Sequence, residues 1–282
     1  MTGTRTWRPS PVWLVLASII SVQFGATFGK SLFATVGPAA VAWLRMVIAF
    51  PLLMILVRPN LRGRTPAEWR NVLLYGLTLG TMNFAIYQSF ARIPIGLAVT
   101  IEFLGPLAVA FTGIRRARDI VWIALAGIGV VLLGWSPVVW NWVGIGFALL
   151  AAAGWAGYIV ASVPVGRTWE GVSGVAVGSG VGAVLFAAPG IVDGGSAMWQ
   201  PHVIGIAALV AVLSSIIPYG LEMVALRRIK RSVFGILMSV EPAAAAGAAL
   251  IMLGEMLTPA ELAAMACVIV ASVGATKTMG RS

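Results

Sequence analysis

Apolar runs too long for soluble strands and too many for one core follow one another along this chain. We read ten of them, at about 12–29, 39–57, 71–90, 95–113, 120–135, 142–163, 172–192, 202–225, 233–253 and 259–276. A run of roughly 17–25 residues crosses about 30 Å of hydrocarbon as a helix. The runs are continuous, whereas barrel strands alternate every second residue over about ten residues. The breaks are short and chemically distinct: RPNLRGR, RRARD, SPVVWNW, DGGSAMWQPH and RRIKRS. No soluble domain fits between them. Of 282 residues, 60% are hydrophobic and 10% charged; a soluble domain needs about 25% charged residues to cover itself. The reading is an all-α integral membrane protein with ten transmembrane helices.

The net charge of +10 could suit nucleic acid, but the basic residues sit in the breaks, where they set topology. With the N-terminus inside, the inner segments hold Arg5 and Arg8; Arg58, Arg62, Arg64 and Arg70; Arg115, Arg116 and Arg118; Arg167; Arg227, Arg228, Lys230 and Arg231; and Lys277 and Arg281. The outer segments hold only Lys30 and Arg92. That bias puts both termini in the cytoplasm. Trp140, Trp142 and Trp199 then fall at the outer interface. Arg5 and Arg8 precede the first run as in a signal peptide, but the run continues to Phe28 without a clear cleavage site, so a retained helix is expected. The single cysteine, Cys267, excludes a disulfide framework or a cysteine metal site, and no cofactor is expected.

RIPIGLAVTIEFLGP, residues 92–106, has an echo 139 positions later. Arg92 falls on Arg231, Gly96 on Gly235, Thr100 on Ser239 and Glu102 on Glu241; Pro106 and Pro242 follow the two acids. Five spans per half is an odd number, so the second half enters the membrane from the opposite side. The expectation is two inverted five-helix repeats, at 1–141 and 142–282, the build that lets one site face either side.

The chain resembles the EamA-type branch of the drug/metabolite transporter superfamily, and within it the threonine/homoserine exporters. The resemblance rests on GATFGKSLF (25–33), GPAAVAWLRMVIAF (37–50), YGLTLGTMNFAIYQSFARIPIGLAVTIEFLGPLAVAF (75–111), RRARDIVWIALAGIGVVLL (115–133), IPYGLEMVALRRI (217–229), FGILMSVEPAAAA (234–246) and LGEMLTP (253–259). Where a GE-type turn might follow the fourth span, this chain has RRARD instead. The resemblance implies a bacterial inner-membrane exporter of threonine and homoserine, coupled to protons.

A carboxylate at mid-membrane costs about 2.5–3.5 kcal/mol, so it normally faces a cavity or a partner. Glu102 and Glu241 are read as groups that exchange a proton with an opened cavity or hold a substrate ammonium; the alternative is a hydrogen-bonded acid pinning two helices. Glu222 is either a cavity contact or one side of an interfacial pair with Arg227 and Arg228. Asn83 stands 139 positions before Glu222 and, with Tyr87, shares a helical face. With Gln23, Trp155 and Tyr219 they are expected to line a cavity; the alternative is interhelical hydrogen bonding. Arg45 is placed to bind a substrate carboxylate, or else to snorkel or pair with an acid. Lys30 reads as an interface anchor, and His202 as a solvated loop residue. Gly174, Gly178, Gly182 and Ala243–Ala246 read as close helix packing. Pro106, Pro164, Pro189, Pro218 and Pro242 are expected to kink or end helices.

Three classes of function remain: an amino-acid exporter, a carrier of other drugs or metabolites, and an intramembrane enzyme. The last lacks support, because no HExxH, Cys/His cluster or helix-borne histidine beside a serine occurs. No GxxxxGK[ST] phosphate loop occurs either, so transport must draw on an ion gradient.

Overall fold

The computed structural model describes residues 10–112, 120–133 and 141–279. Arg5, Arg8, Arg115, Arg116, Arg118, Trp140 and Arg281, with the rest of RRARD, lie outside the described residues. The helices are α1 (Pro11–Ser31), α2 (Phe33–Val57), α3 (Pro66–Phe90), α4 (Ile95–Glu102), α5 (Leu104–Thr112), α6 (Ile120–Leu133), α7 (Trp142–Thr168), α8 (Ser173–Leu185), α9 (Ala187–Gly194), α10 (Pro201–Ala211), α11 (Ile217–Leu226), α12 (Arg231–Met238), α13 (Glu241–Leu253) and α14 (Pro259–Met279). Among the described residues, seven stretches are long and apolar enough to cross a membrane, or eight if α8 and α9 count as one span bent by 60°. The chain is a multi-pass helical membrane protein. The stretch 71–90 lies in α3, which is 25 residues long but carries Asn71, Asn83 and Gln88.

Several expected spans are not single helices. The fourth breaks at Phe103, the ninth at Ser239 and Val240, and the eighth contains a π-turn at Val212–Ile216. Proline supplies the reason in each case. It has no N–H for the carbonyl four residues earlier. Pro106, Pro242 and Pro218 therefore withhold a helical partner from the carbonyls of Glu102, Met238 and Ser214. Pro164 differs from expectation and sits inside the continuous α7.

Glycine sets a close crossing of α3 and α8. On α3, Gly76 and Gly80 meet Gly178 and Gly182 of α8; a Cβ at Gly80 would come within 2.8 Å of the Gly182 Cα. Small residues let two backbones approach where lipid offers no hydrophobic drive. The α8 stripe was expected, and its α3 partner was not. Gly37 kinks α2 at φ 72°, and the Asp193 carboxylate of α9 accepts the N–H of Ala39 at 2.8 Å and of Ala40 at 3.4 Å. An acid from elsewhere in the chain thus caps the restarted helix.

Helix α3 starts on a capping box of its own, Thr65 with Glu68. The Thr65 N–H, the Thr65 hydroxyl and Arg64 hold the Glu68 carboxyl below its ordinary range. The same four letters, TPAE, open α14, where Glu261 accepts the Thr258 N–H at 2.7 Å. His202 corrects the loop expectation: it lies in the first turn of α10, exposed. Trp142 and Trp199 are exposed, as residues of an interfacial belt would be.

Candidate functional site

Helices α1, α2, α3, α4, α5, α7, α11, α12, α13 and α14 and the π-turn surround a cavity of about 1000 Å³. Its wall includes Glu102, Glu241, Glu222, Asn83, Tyr87, Trp155, Tyr219, Gln23 and Arg45, so every residue singled out as a binding candidate lies on it. These residues come from α1, α2, α3, α4, α7, α11 and α13. Only the folded bundle makes them neighbours.

The broken helices carry the acids. Glu102 is the last residue of α4 and Glu241 the first of α13, so each stands where helical hydrogen bonding is interrupted. Both are buried. The two copies share a second detail. The Thr100 hydroxyl donates to the Gly96 carbonyl at 2.7 Å, and the Ser239 hydroxyl to the Gly235 carbonyl at 2.9 Å. Gln23 Nε2 donates to Glu241 Oε1 at 3.2 Å. Ser18, on α1, donates its hydroxyl to Glu222. Of the two alternatives for Glu222, the interfacial pair is absent among the described residues: the carboxylate is bonded to Ser18 and not to Arg227 or Arg228.

Arg45 neither snorkels nor pairs with an acid. It is buried, donates from Nη2 to the Ser214 carbonyl at 2.7 Å and from Nε to the Ser215 hydroxyl at 3.3 Å. Its guanidinium lies 5.9 Å from the Tyr87 ring centre, and its charge acts on Glu102. The Ser214 carbonyl it takes is the one Pro218 leaves without a helical donor. Asn83 spends its Nδ2 on the Leu79 carbonyl of its own helix. Trp155 sits edge-on to Phe103, with ring centres 5.6 Å apart. Tyr158, Ser214, Ser272 and Thr276 also line the cavity and were not anticipated. A serine or threonine in an apolar run looks like packing; for Ser214 the usable signal was a proline four residues on.

Charge joins three elements at one end of the bundle. Lys30, at the end of α1, pairs with Glu255 of the α13–α14 loop, and Glu255 also accepts the Ile95 N–H at 2.8 Å, where α4 begins. Lys30, expected as an interface anchor, is thus also an ion-pair partner.

A cage of apolar helices around acids, an arginine and aromatic hydroxyls is the build of a membrane carrier. The EamA-like transporter family matches residues 9–140 and again 142–276, and the chain belongs to that family. It is 42% identical over 280 residues to the threonine/homoserine exporter RhtA of Escherichia coli (strain K12), covering 96% of this chain and 94% of that protein. The threonine/homoserine exporter RhtA of Salmonella typhimurium (strain SL1344) is 42% identical over 282 residues, 97% of this chain and 95% of that one. A solved crystal structure shares the fold, with a TM-score of 0.65 at 20% identity over 95% of this chain and 98% of its own.

Proposed function

We propose that this chain exports threonine and homoserine from the cytoplasm by alternating access, in exchange for protons. The observation that carries the reading is the convergence of Arg45 with Glu102, Glu222 and Glu241 on one cavity. A zwitterionic amino acid needs a cation for its carboxylate and an acid for its ammonium. Arg45 supplies the first and Glu102, close enough to feel the same charge, the second. Glu241 shares the space with Glu102 and Glu222, so a proton taken up there belongs to the set. The exporter names of the relatives support the cargo. The membrane potential would supply about 2.3 kcal/mol per charge per 100 mV.

The proposed topology has ten spans in two inverted repeats, 1–141 and 142–282, in a bacterial inner membrane with both termini cytoplasmic. Two separate family matches, the paired acids and the matched Thr100 and Ser239 bonds support the repeat. In this orientation the cavity runs from Glu222, Phe234 and Thr276 on the cytoplasmic side to Tyr87 and Phe90 at the outer end of α3, and the Lys30–Glu255 pair lies on the outer side.

A second reading keeps the fold and changes the cargo. A volume of about 1000 Å³ stands at the top of the range of drug-sized sites, roughly 300–1,000 Å³, and favours a drug or metabolite carrier. Counterflow in proteoliposomes across a substrate panel separates the two. Exchange confined to small hydroxylated amino acids supports the first; exchange of bulky cations or sugars without threonine overturns it.

A further inference from the structure

A buried polar atom without a partner costs free energy that an apolar side chain of the same shape would avoid. Among the described residues, four such atoms belong to residues that line the cavity: Gln23 Oε1, Glu241 Oε2, Tyr87 Oη and Ser214 Oγ. Their residues are all more than nine-tenths buried. The first two sit together, joined by the Gln23–Glu241 bond, and belong to the acid machinery already described. Tyr87 and Ser214 have no such explanation.

Both flank Arg45. Ser214 gives Arg45 its carbonyl at 2.7 Å, which leaves its hydroxyl as a separate, unused group. Tyr87 presents its ring to the guanidinium at 5.9 Å. Helix α1 makes room for both hydroxyls with glycine. A Cβ at Gly29 would stand 3.1 Å from Tyr87 Oη, and one at Gly25 would overlap Ser214 Oγ. The π-turn at Val212–Ile216 sets Ser214 on the wall, and π-turns recur at functional sites. If the cargo's carboxylate rests on Arg45, its side chain, one bond from the same carbon, lies within this neighbourhood.

We propose that Ser214 and Tyr87 are the specificity-determining pair that recognises the side-chain hydroxyl of the cargo. Each hydroxyl both donates and accepts, so either can pair with a hydroxyl on the cargo. A cargo with a methyl there leaves both unpaired. The proposal rests on the reading of a hydroxylated amino acid as cargo.

The test is trans-stimulated counterflow in proteoliposomes holding wild type, Ser214→Ala or Tyr87→Phe. Threonine and homoserine are compared with 2-aminobutyrate, the four-carbon amino acid without the hydroxyl. Wild type is expected to prefer the hydroxylated pair, and each variant to lose about tenfold of that preference. The loss should lie in the half-saturation for threonine, with that for 2-aminobutyrate unchanged. Equal weakening of all three cargoes in both variants would mean a packing role, and an unchanged preference would mean no role; either overturns the proposal. Wild type that exchanges none of the three overturns the function on which it rests, and that result is read without the variants.

Discussion

The two broken helices, α4–α5 and α12–α13, are the same sequence idea executed twice with opposite firmness. Both carry a glycine, a hydroxyl bonded back to that glycine's carbonyl, an acid and a following proline. In the first, all eight residues of α4 are buried, and Gly96 lies against Ala246 so closely that a Cβ would come 2.9 Å from the Ala246 Cα. In the second, none of the residues 233–238 of α12 is fully buried, and a Cβ at Gly235 would meet the Thr276 side chain, at 3.1 Å. The acids differ likewise. Glu102 faces the charge of Arg45, whereas Glu241 takes a neutral amide from Gln23. A repeated pattern therefore does not make two equivalent halves: one copy is wedged in place and the other has room to move.

The largest test of that contrast is chemical. In inside-out vesicles with an imposed proton gradient, Glu241→Gln and Glu102→Gln should each cut threonine uptake about 10- to 100-fold, the worth of a charged hydrogen bond. On the proposed roles, Glu241→Gln should keep counterflow, since only proton exchange is lost, while Glu102→Gln should lose affinity as well. Normal gradient-driven uptake in both variants would take the acids out of coupling. Next, Arg45→Lys should raise the threonine half-saturation about tenfold, because an ammonium cannot hold a carboxylate with two parallel bonds. An unchanged value would remove the feature that sets Glu102 apart.

The remaining tests are structural. Gly96→Ala should destabilise the detergent-solubilised protein by about 1–3 kcal/mol through overpacking against backbone. Gly235→Ala should stay within about 0.5 kcal/mol, since the Thr276 side chain can give way. Equal melting temperatures for the two variants would break the contrast. Smallest of all, α12 amides should exchange hydrogen roughly fivefold faster than α4 amides; equal protection would mean that α12 is held by contacts as firm as those of α4.

Much of this was legible in the sequence because it is written in local periods. Apolar length placed the helices, and the 139-position echo found Glu102, Glu241 and, from Glu222, Asn83. The bonds that finish the site are not local. Ser18 reaches Glu222 across 204 positions, and Asp193 caps a helix 154 positions before it. Lys30 read as a lone interfacial cation because nothing near it in sequence is acidic; Glu255 arrives from another loop. The bend between α8 and α9 had one local signal, Pro189, which withholds an N–H from the carbonyl of Leu185 where α8 ends; the apolar run by itself reads as one rod.

The carboxylate of Asp193 has a mechanical meaning. It grips the start of α2 just past the Gly37 kink, and Arg45 lies under two turns farther along that rod. Through that clasp the segment of α2 that carries Arg45 is tied to α9. The rim of the bundle and the arginine on the cavity wall thus share one piece of chain, set at its angle by a single glycine.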